Sequence, residues 1–113
     1  SAGYQEEYFV RAQKVRRLIR NDYDQVFREV DVLLAPTVSV PPPKKGEKLA
    51  DPLAVYLMDT LTAAANLAGI PSISIPGPPD SRGFPPGINI MAKPMGEEAM
   101  FKAALRLEEL LSR

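Results

Sequence analysis

Between Tyr4 and Val30 the apolar residues Tyr4, Tyr8, Ala12, Val15, Ile19, Tyr23, Val26 and Val30 recur every three or four positions, with Leu18 and Phe27 widening the stripe. That spacing predicts an amphipathic helix, about 40 Å long if unbroken at ~1.5 Å per residue. Asn21-Asp22 offers a cap at which a second helix could start. Val32, Leu33 and Leu34 are consecutive apolar residues, a pattern that suits a short strand buried on both faces and ended by Pro36. Thr37 to Asp51 holds Pro41, Pro42 and Pro43 followed by Lys44, Lys45, Gly46, Glu47 and Lys48, which resists both helix and sheet and predicts a long loop. Behind it Asp51 reads as an N-cap and Pro52 as a first helical residue. Leu53 to Ala68 is apolar on most sides and predicts a buried helix, with Gly69 to end it and Pro71 to prevent its continuation.

The alternation in Ser72 to Pro76 predicts a strand, and Gly77 to Gly87, with four prolines and three glycines, a loop. Gly87 to Ala92 predicts another strand, with Ile88 and Ile90 on one face and Asn89 and Met91 on the other. Glu97 and Glu98 open a final helix at the end its dipole favours, with Met100, Phe101, Ala104, Leu107 and Leu111 as the buried stripe. The order α, β, long loop, α, β, β, α implies a layered α/β arrangement over residues 1–113, with no internal repeat.

Chemistry is limited by what the chain lacks. It has no cysteine and no histidine, so disulfides, thiolate nucleophiles, metal sites built on these ligands and Ser-His-Asp machinery are excluded within it. Neither a metal nor a cofactor is expected. Fourteen basic residues balance fourteen acidic ones, so no global field draws the chain to nucleic acid or to an anionic membrane. No apolar run reaches the roughly 20 residues of a membrane span, and a soluble, cytoplasmic setting is the expectation. The chain begins on Ser1 with a helical pattern almost at once, which suggests a piece of something longer.

Arg11, Lys14, Arg16, Arg17 and Arg20 crowd one stretch of the first helix and could grip phosphates, but acids flank them and a solvated face is the better reading. Lys44, Lys45 and Lys48 read the same way. Ser72 and Ser74 have no base at a recognisable spacing and read as structural. Asp59 differs, because a carboxylate inside an apolar helix must find a partner or shift its pKa. It is either a core or capping hydrogen-bond acceptor or an acid that lines a cleft for a cation. Thr62 and Asn66 lie three and seven residues on, roughly on the same side of the helix.

The stretch from Asp51-Pro-Leu-Ala-Val-Tyr-Leu-Met-Asp59 through Thr62-Ala-Ala-Ala-Asn-Leu-Ala-Gly-Ile-Pro71 to Ser74-Ile-Pro76 resembles the amidase-signature family. Its Asp-Pro-Leu lead-in is closest to the glutaminase subunits of tRNA-dependent amidotransferases, which carry D-P-L-x-M-Y-x-x-D, T-x-P-A-N-L-A-G-x-P and S-x-P. Flanking pieces agree in order: Ala12-Gln-Lys-Val-Arg16, Val32-Leu-Leu-Ala-Pro-Thr37, Phe84-Pro-Pro-Gly-Ile-Asn89 and Lys93-Pro94. Departures are local: Ala64 stands for the usual proline, Gly77-Pro78 for Cys-Gly, and Pro86 and Asn89 for a small apolar residue and glutamine.

The resemblance implies the C-terminal part of the amidase-signature fold, a mixed β-sheet flanked by helices. It implies an enzyme that hydrolyses glutamine with a lysine and two serines of a Gly/Ser-rich signature, and that signature is not in this chain, which therefore holds no catalytic residue and is expected to be inactive alone. Asp59 matches the family carboxylate that receives the ammonium of substrate glutamine. The implied partners are the B and C subunits of the amidotransferase, with ATP, magnesium and most tRNA contacts on the B component, where ammonia converts Glu-tRNA(Gln) to Gln-tRNA(Gln). A general amidase of small amides, with a structural Asp59, and a non-catalytic interaction module are the competing readings. Strands and helix faces separated from their neighbours would make the isolated chain self-associate.

Overall fold

A computed structural model describes residues 2–47 and 51–112. The elements run α1 (Ala2–Val26), β1 (Val32–Pro36), α2 (Pro52–Met58), α3 (Thr60–Ala68), β2 (Ser72–Pro76), β3 (Gly87–Ala92) and α4 (Glu97–Leu111). The three strands form one sheet in the order β1-β3-β2. Both pairings are antiparallel, with Leu34 opposite Ile90 and Ile73 opposite Ile90 on the other side.

β3 is the centre of the molecule because its two-residue period feeds both faces of the sheet. Ile90 and Ala92 point to α4 and pack with Ile75, Met100 and Ala104, flanked by Val32, Ile73, Ile88, Ala103 and Leu107. Met91 points the other way, to Ala65, Ala68 and Ile70, with Ile19, Tyr23, Phe27, Leu33 and Ala35 closing around them. The small side chains of Ala65 and Ala68 let α3 lie close on the sheet, and α1 lies against α3. Ile90 is fully enclosed, a position where truncation to alanine costs about 2–5 kcal/mol.

Several expectations are met by local chemistry. Asp51 caps α2 by accepting the Leu53 N–H at 2.9 Å, with Pro52 at the first helical position. Gly69 ends α3 in the left-handed region at φ 66°, its N–H returning to the Ala65 carbonyl. Gly87 is required by crowding rather than by φ: a Cβ there would lie 2.6 Å from Thr37 Oγ1 and 3.0 Å from Ser74 Oγ.

Others are corrected. α1 runs unbroken through Asn21-Asp22, since the Ile19-Tyr23-Phe27 stripe seats on α3 and the sheet without a change of direction. Residues 2–18 of α1 are exposed, Tyr4, Tyr8, Val15 and Leu18 among them, with the Tyr4 and Tyr8 rings tilted against each other at 4.7 Å between centroids. β1 is an edge strand, not one buried on both faces: Leu34 lies opposite Ile90 on the face that α4 covers, yet it is 60% exposed because the α4 cluster reaches β1 at Val32 and not at Leu34. Leu53 to Ala68 is two helices joined at Asp59, and only α3 reaches the core, through Ala65 and Ala68, while Leu53, Tyr56 and Leu57 of α2 face solvent. In α4, Phe101 is exposed while Ala103 packs on the core, because the side the helix turns to the sheet is that of Met100, Ala103, Ala104 and Leu107. Lys48 lies outside the described residues.

Candidate functional site

Asp59 sits at the hinge between α2 and α3, where its backbone belongs to both helices. Its N–H donates to the Tyr56 carbonyl at 3.2 Å, and its own carbonyl accepts from the Ala63 N–H at 2.9 Å and the Thr62 hydroxyl at 3.1 Å. Its backbone φ of −92° and ψ of −4° remain near helical values, and its side chain makes no capping bond. The carboxylate is exposed. The premise that it is an ion enclosed in an apolar helix is therefore replaced by a simpler one: a carboxylate on a rim, still hydrated and still able to accept.

What lies beneath that rim is apolar. Asp59 borders a depression of about 230 Å³ whose other walls are Ile19, Tyr56, Thr60, Ala63, Ala64 and Leu67. A negative group beside such a wall suits a ligand that carries a cation next to an aliphatic stem. Thr62 and Asn66 do not share this depression. They turn toward the sheet and line a second hollow with Thr37, Ser72, Ser74 and Asn89. The Thr62 hydroxyl is spent on the Asp59 carbonyl and the Asn66 amide on the Thr62 carbonyl at 2.9 Å, as expected for short polar side chains that bond back along their own helix.

Among the described residues no proton-transfer pair accompanies Asp59. Ser74 shares a hydrogen bond with Thr37 at 2.6 Å, and Ser72 donates to Asn89, so neither serine is placed against a base. Among the described residues no three acidic side chains gather where they could hold a metal ion. Also among the described residues, no helix is long and apolar enough to cross a membrane.

Two of the basic residues on α1 have a role that their sequence pattern does not show. Arg16 Nε donates to the Leu67 carbonyl at 2.7 Å, and Arg20 donates to the Ala68 carbonyl at 2.8 Å. These carbonyls belong to the last turn of α3, which lacks intrahelical donors and carries the negative end of the helix dipole. Arg16 and Arg20 thus tie α1 to the end of the helix that Asp59 begins. Arg20 is also paired with Asp24, and Arg11 with Glu7, along α1 itself.

The family model described as Amidase matches residues 1–101. The chain is 46% identical over 109 residues to a protein of Rhizorhabdus wittichii named as the A component of glutamyl-tRNA(Gln) amidotransferase, covering 96% of this chain and 22% of the relative. It is 48% identical over 110 residues to the protein of the same name from Methanosarcina barkeri, covering 96% and 23%. The crystal structure of the corresponding glutamyl-tRNA(Gln) amidotransferase component from Thermotoga maritima superposes with a TM-score of 0.79 at 41% identity, over 88% of this chain and 22% of that one. A structure from work on a vestigial protein complex and the origins of an s-triazine catabolic enzyme superposes with a TM-score of 0.78 at 27% identity, over 92% and 24%. The chain spans less than a quarter of the length of each of these relatives.

Proposed function

Because the chain belongs to the amidase family, we propose that it forms the C-terminal part of a glutamine-hydrolysing subunit of a tRNA-dependent amidotransferase, in which Asp59 receives the α-ammonium of glutamine. The observation that carries this reading is the position of Asp59, a carboxylate without a capping bond on the rim of an apolar depression, within a chain that is 46% and 48% identical, along nearly its whole length, to proteins named as the A component of glutamyl-tRNA(Gln) amidotransferase. The depression takes the aliphatic stem of the substrate and the carboxylate its charge. Water leaves as the substrate settles, which strengthens the ion pair and leaves a substrate without an ammonium facing an unpaired carboxylate. Amide cleavage belongs to the lysine and serines of the complete subunit, and the ammonia released serves conversion of Glu-tRNA(Gln) to Gln-tRNA(Gln) in company with the B and C subunits.

The test is Asp59→Asn in the full-length enzyme, assayed with glutamine and with an amide of equal length that lacks the amino group. Loss of a charge-assisted hydrogen bond lowers kcat/KM for glutamine by roughly ten- to a hundredfold, mainly through KM, and leaves the uncharged amide unaffected. Equal loss on both substrates would assign Asp59 a structural role and favour a general amidase.

A further inference from the structure

The depression beside Asp59 is a gap between helices. Ala63, Ala64 and Leu67 line it from α3, and Ile19 lines it from α1. The backbone hydrogen bonds of α3 fix its own three walls relative to one another. Ile19 is the wall that another element supplies, so the width of the gap depends on how α1 seats on α3.

Apolar packing alone does not fix that seat, because it is non-directional, Ile19 is only half-buried and Leu67 is 45% exposed. The directional contacts are two hydrogen bonds. Arg16 Nε donates to the Leu67 carbonyl at 2.7 Å, and Arg20 Nη1 donates to the Ala68 carbonyl at 2.8 Å. The two arginines stand one helical turn apart with Ile19 between them in the chain, and one of the two acceptors belongs to Leu67, itself a wall of the depression. Consecutive carbonyls at the open end of a helix are gripped together, so a slide or roll of α1 along α3 would strain both bonds at once. Charge on the donors at the negative end of the α3 dipole strengthens the grip.

We infer that Arg16 and Arg20 are positioning residues for substrate binding: without touching the substrate, they hold Ile19 at a set distance from Leu67 and so set the fit of the substrate's aliphatic stem. This rests on the reading of the Asp59 depression as the glutamine site. The two contributions differ in kind. Asp59 answers to the ammonium, whereas the arginine clamp answers to the stem, which a substrate carries with or without an ammonium. Stem contacts are the same in the ground state and the transition state, so their loss raises KM and leaves kcat in place.

The test is steady-state kinetics of the full-length enzyme carrying Arg16→Met and Arg20→Met together, with glutamine and with an amide of equal length that lacks the amino group. KM should rise for both substrates, by about fourfold for each methylene that loses apolar contact, at unchanged kcat. Arg16→Lys with Arg20→Lys, which keeps a charged donor for each carbonyl, should restore most of the loss. Asp59→Asn, measured alongside, should raise KM for glutamine alone. If Asp59→Asn acts in that way while the double methionine variant keeps both KM values, loses kcat instead, or is not rescued by lysine, the clamp is overturned and the glutamine site stands. If Asp59→Asn leaves glutamine unaffected, the glutamine site falls and the clamp falls with it. Should the double variant fail to fold, Arg16→Met alone, which removes the more exposed bond, should raise both KM values about twofold, and unchanged values would overturn the inference.

Discussion

Replacing Arg20 by methionine keeps the aliphatic stem and removes the guanidinium that caps α3. The lost bond is charge-assisted, 2.8 Å long and partly buried, a class that contributes about 1.5–3 kcal/mol when well shielded. Arg20 keeps 39% of its side-chain surface exposed, and solvent screening lowers that to about 1 kcal/mol. Its positive charge at the C-terminal end of a helix adds roughly 0.3–1 kcal/mol. The sum of about 1–2 kcal/mol corresponds to roughly a tenfold rise in local opening of α3. Hydrogen exchange on the full-length protein reads this directly: peptides spanning residues 60–70 should exchange about tenfold faster in Arg20→Met, while α4, on the opposite face of the sheet, should not change. Arg16→Met, whose bond is the more exposed of the two, should act in the same direction and more weakly. Because both arginines grip the same helix end, the effects in the double variant should depart from simple addition. Unaltered exchange in 60–70, or equal acceleration throughout the chain, would refute the view that these arginines hold α3 in place.

Two further outcomes follow from other parts of the molecule. The purified 113-residue chain should hydrolyse neither glutamine nor a simple amide, and light scattering should report species above 12.4 kDa, because Tyr4, Tyr8, Leu18, Leu53 and Tyr56 leave apolar faces open to water; a concentration-independent monomer with a cooperative melt would show the chain to be self-sufficient. In the loop before β3, Asp80 is held below the usual carboxylate range, first by the Arg82 side chain and then by the backbone N–H groups of Phe84 and Arg82. A depressed folded-state pKa means a contribution present above the unfolded value of about 3.9 and lost as pH falls through the lower folded value. NMR of the Asp80 carboxyl should therefore show a midpoint below that of the unfolded chain, and Asp80→Asn should loosen residues 79–86 already at neutral pH; an Asp80 midpoint equal to the unfolded one would contradict the turn.

How far the fold is legible from the residues depends on the distance over which each feature is decided. The start of α2 at Asp51-Pro52, the end of α3 at Gly69 and the alternation of β3 are settled within a few residues, and each is where its pattern places it. Burial is settled elsewhere. Leu34 and Phe101 carry the same apolar signal as Ile90 and Met100, and only the placement of α4 across the sheet separates the exposed pair from the enclosed one. Asp59 marks the same limit within one helix length. Its carboxylate signals a special position, but the pause between α2 and α3 turns it toward Ile19 and Leu67 while Thr62 and Asn66 turn toward the sheet, so residues expected on one side serve two hollows.

The capping arginines look like a solvated face in the sequence because their acceptors lie 48 and 51 residues away, beyond any local pattern. The hollow around Asn89 draws on residues 37 to 89 through the β1-β3-β2 register, and its single local trace is Gly87, where a side chain would collide with Thr37 and Ser74. The string from Asp51 to Pro76 can reveal the family because it carries caps, breaker and carboxylate in one continuous run. The carbonyls of α3 and the amide of Asn89 obtain their surroundings only when α1 and the strands come together, because their partners Arg16, Arg20 and Ser72 lie on other elements.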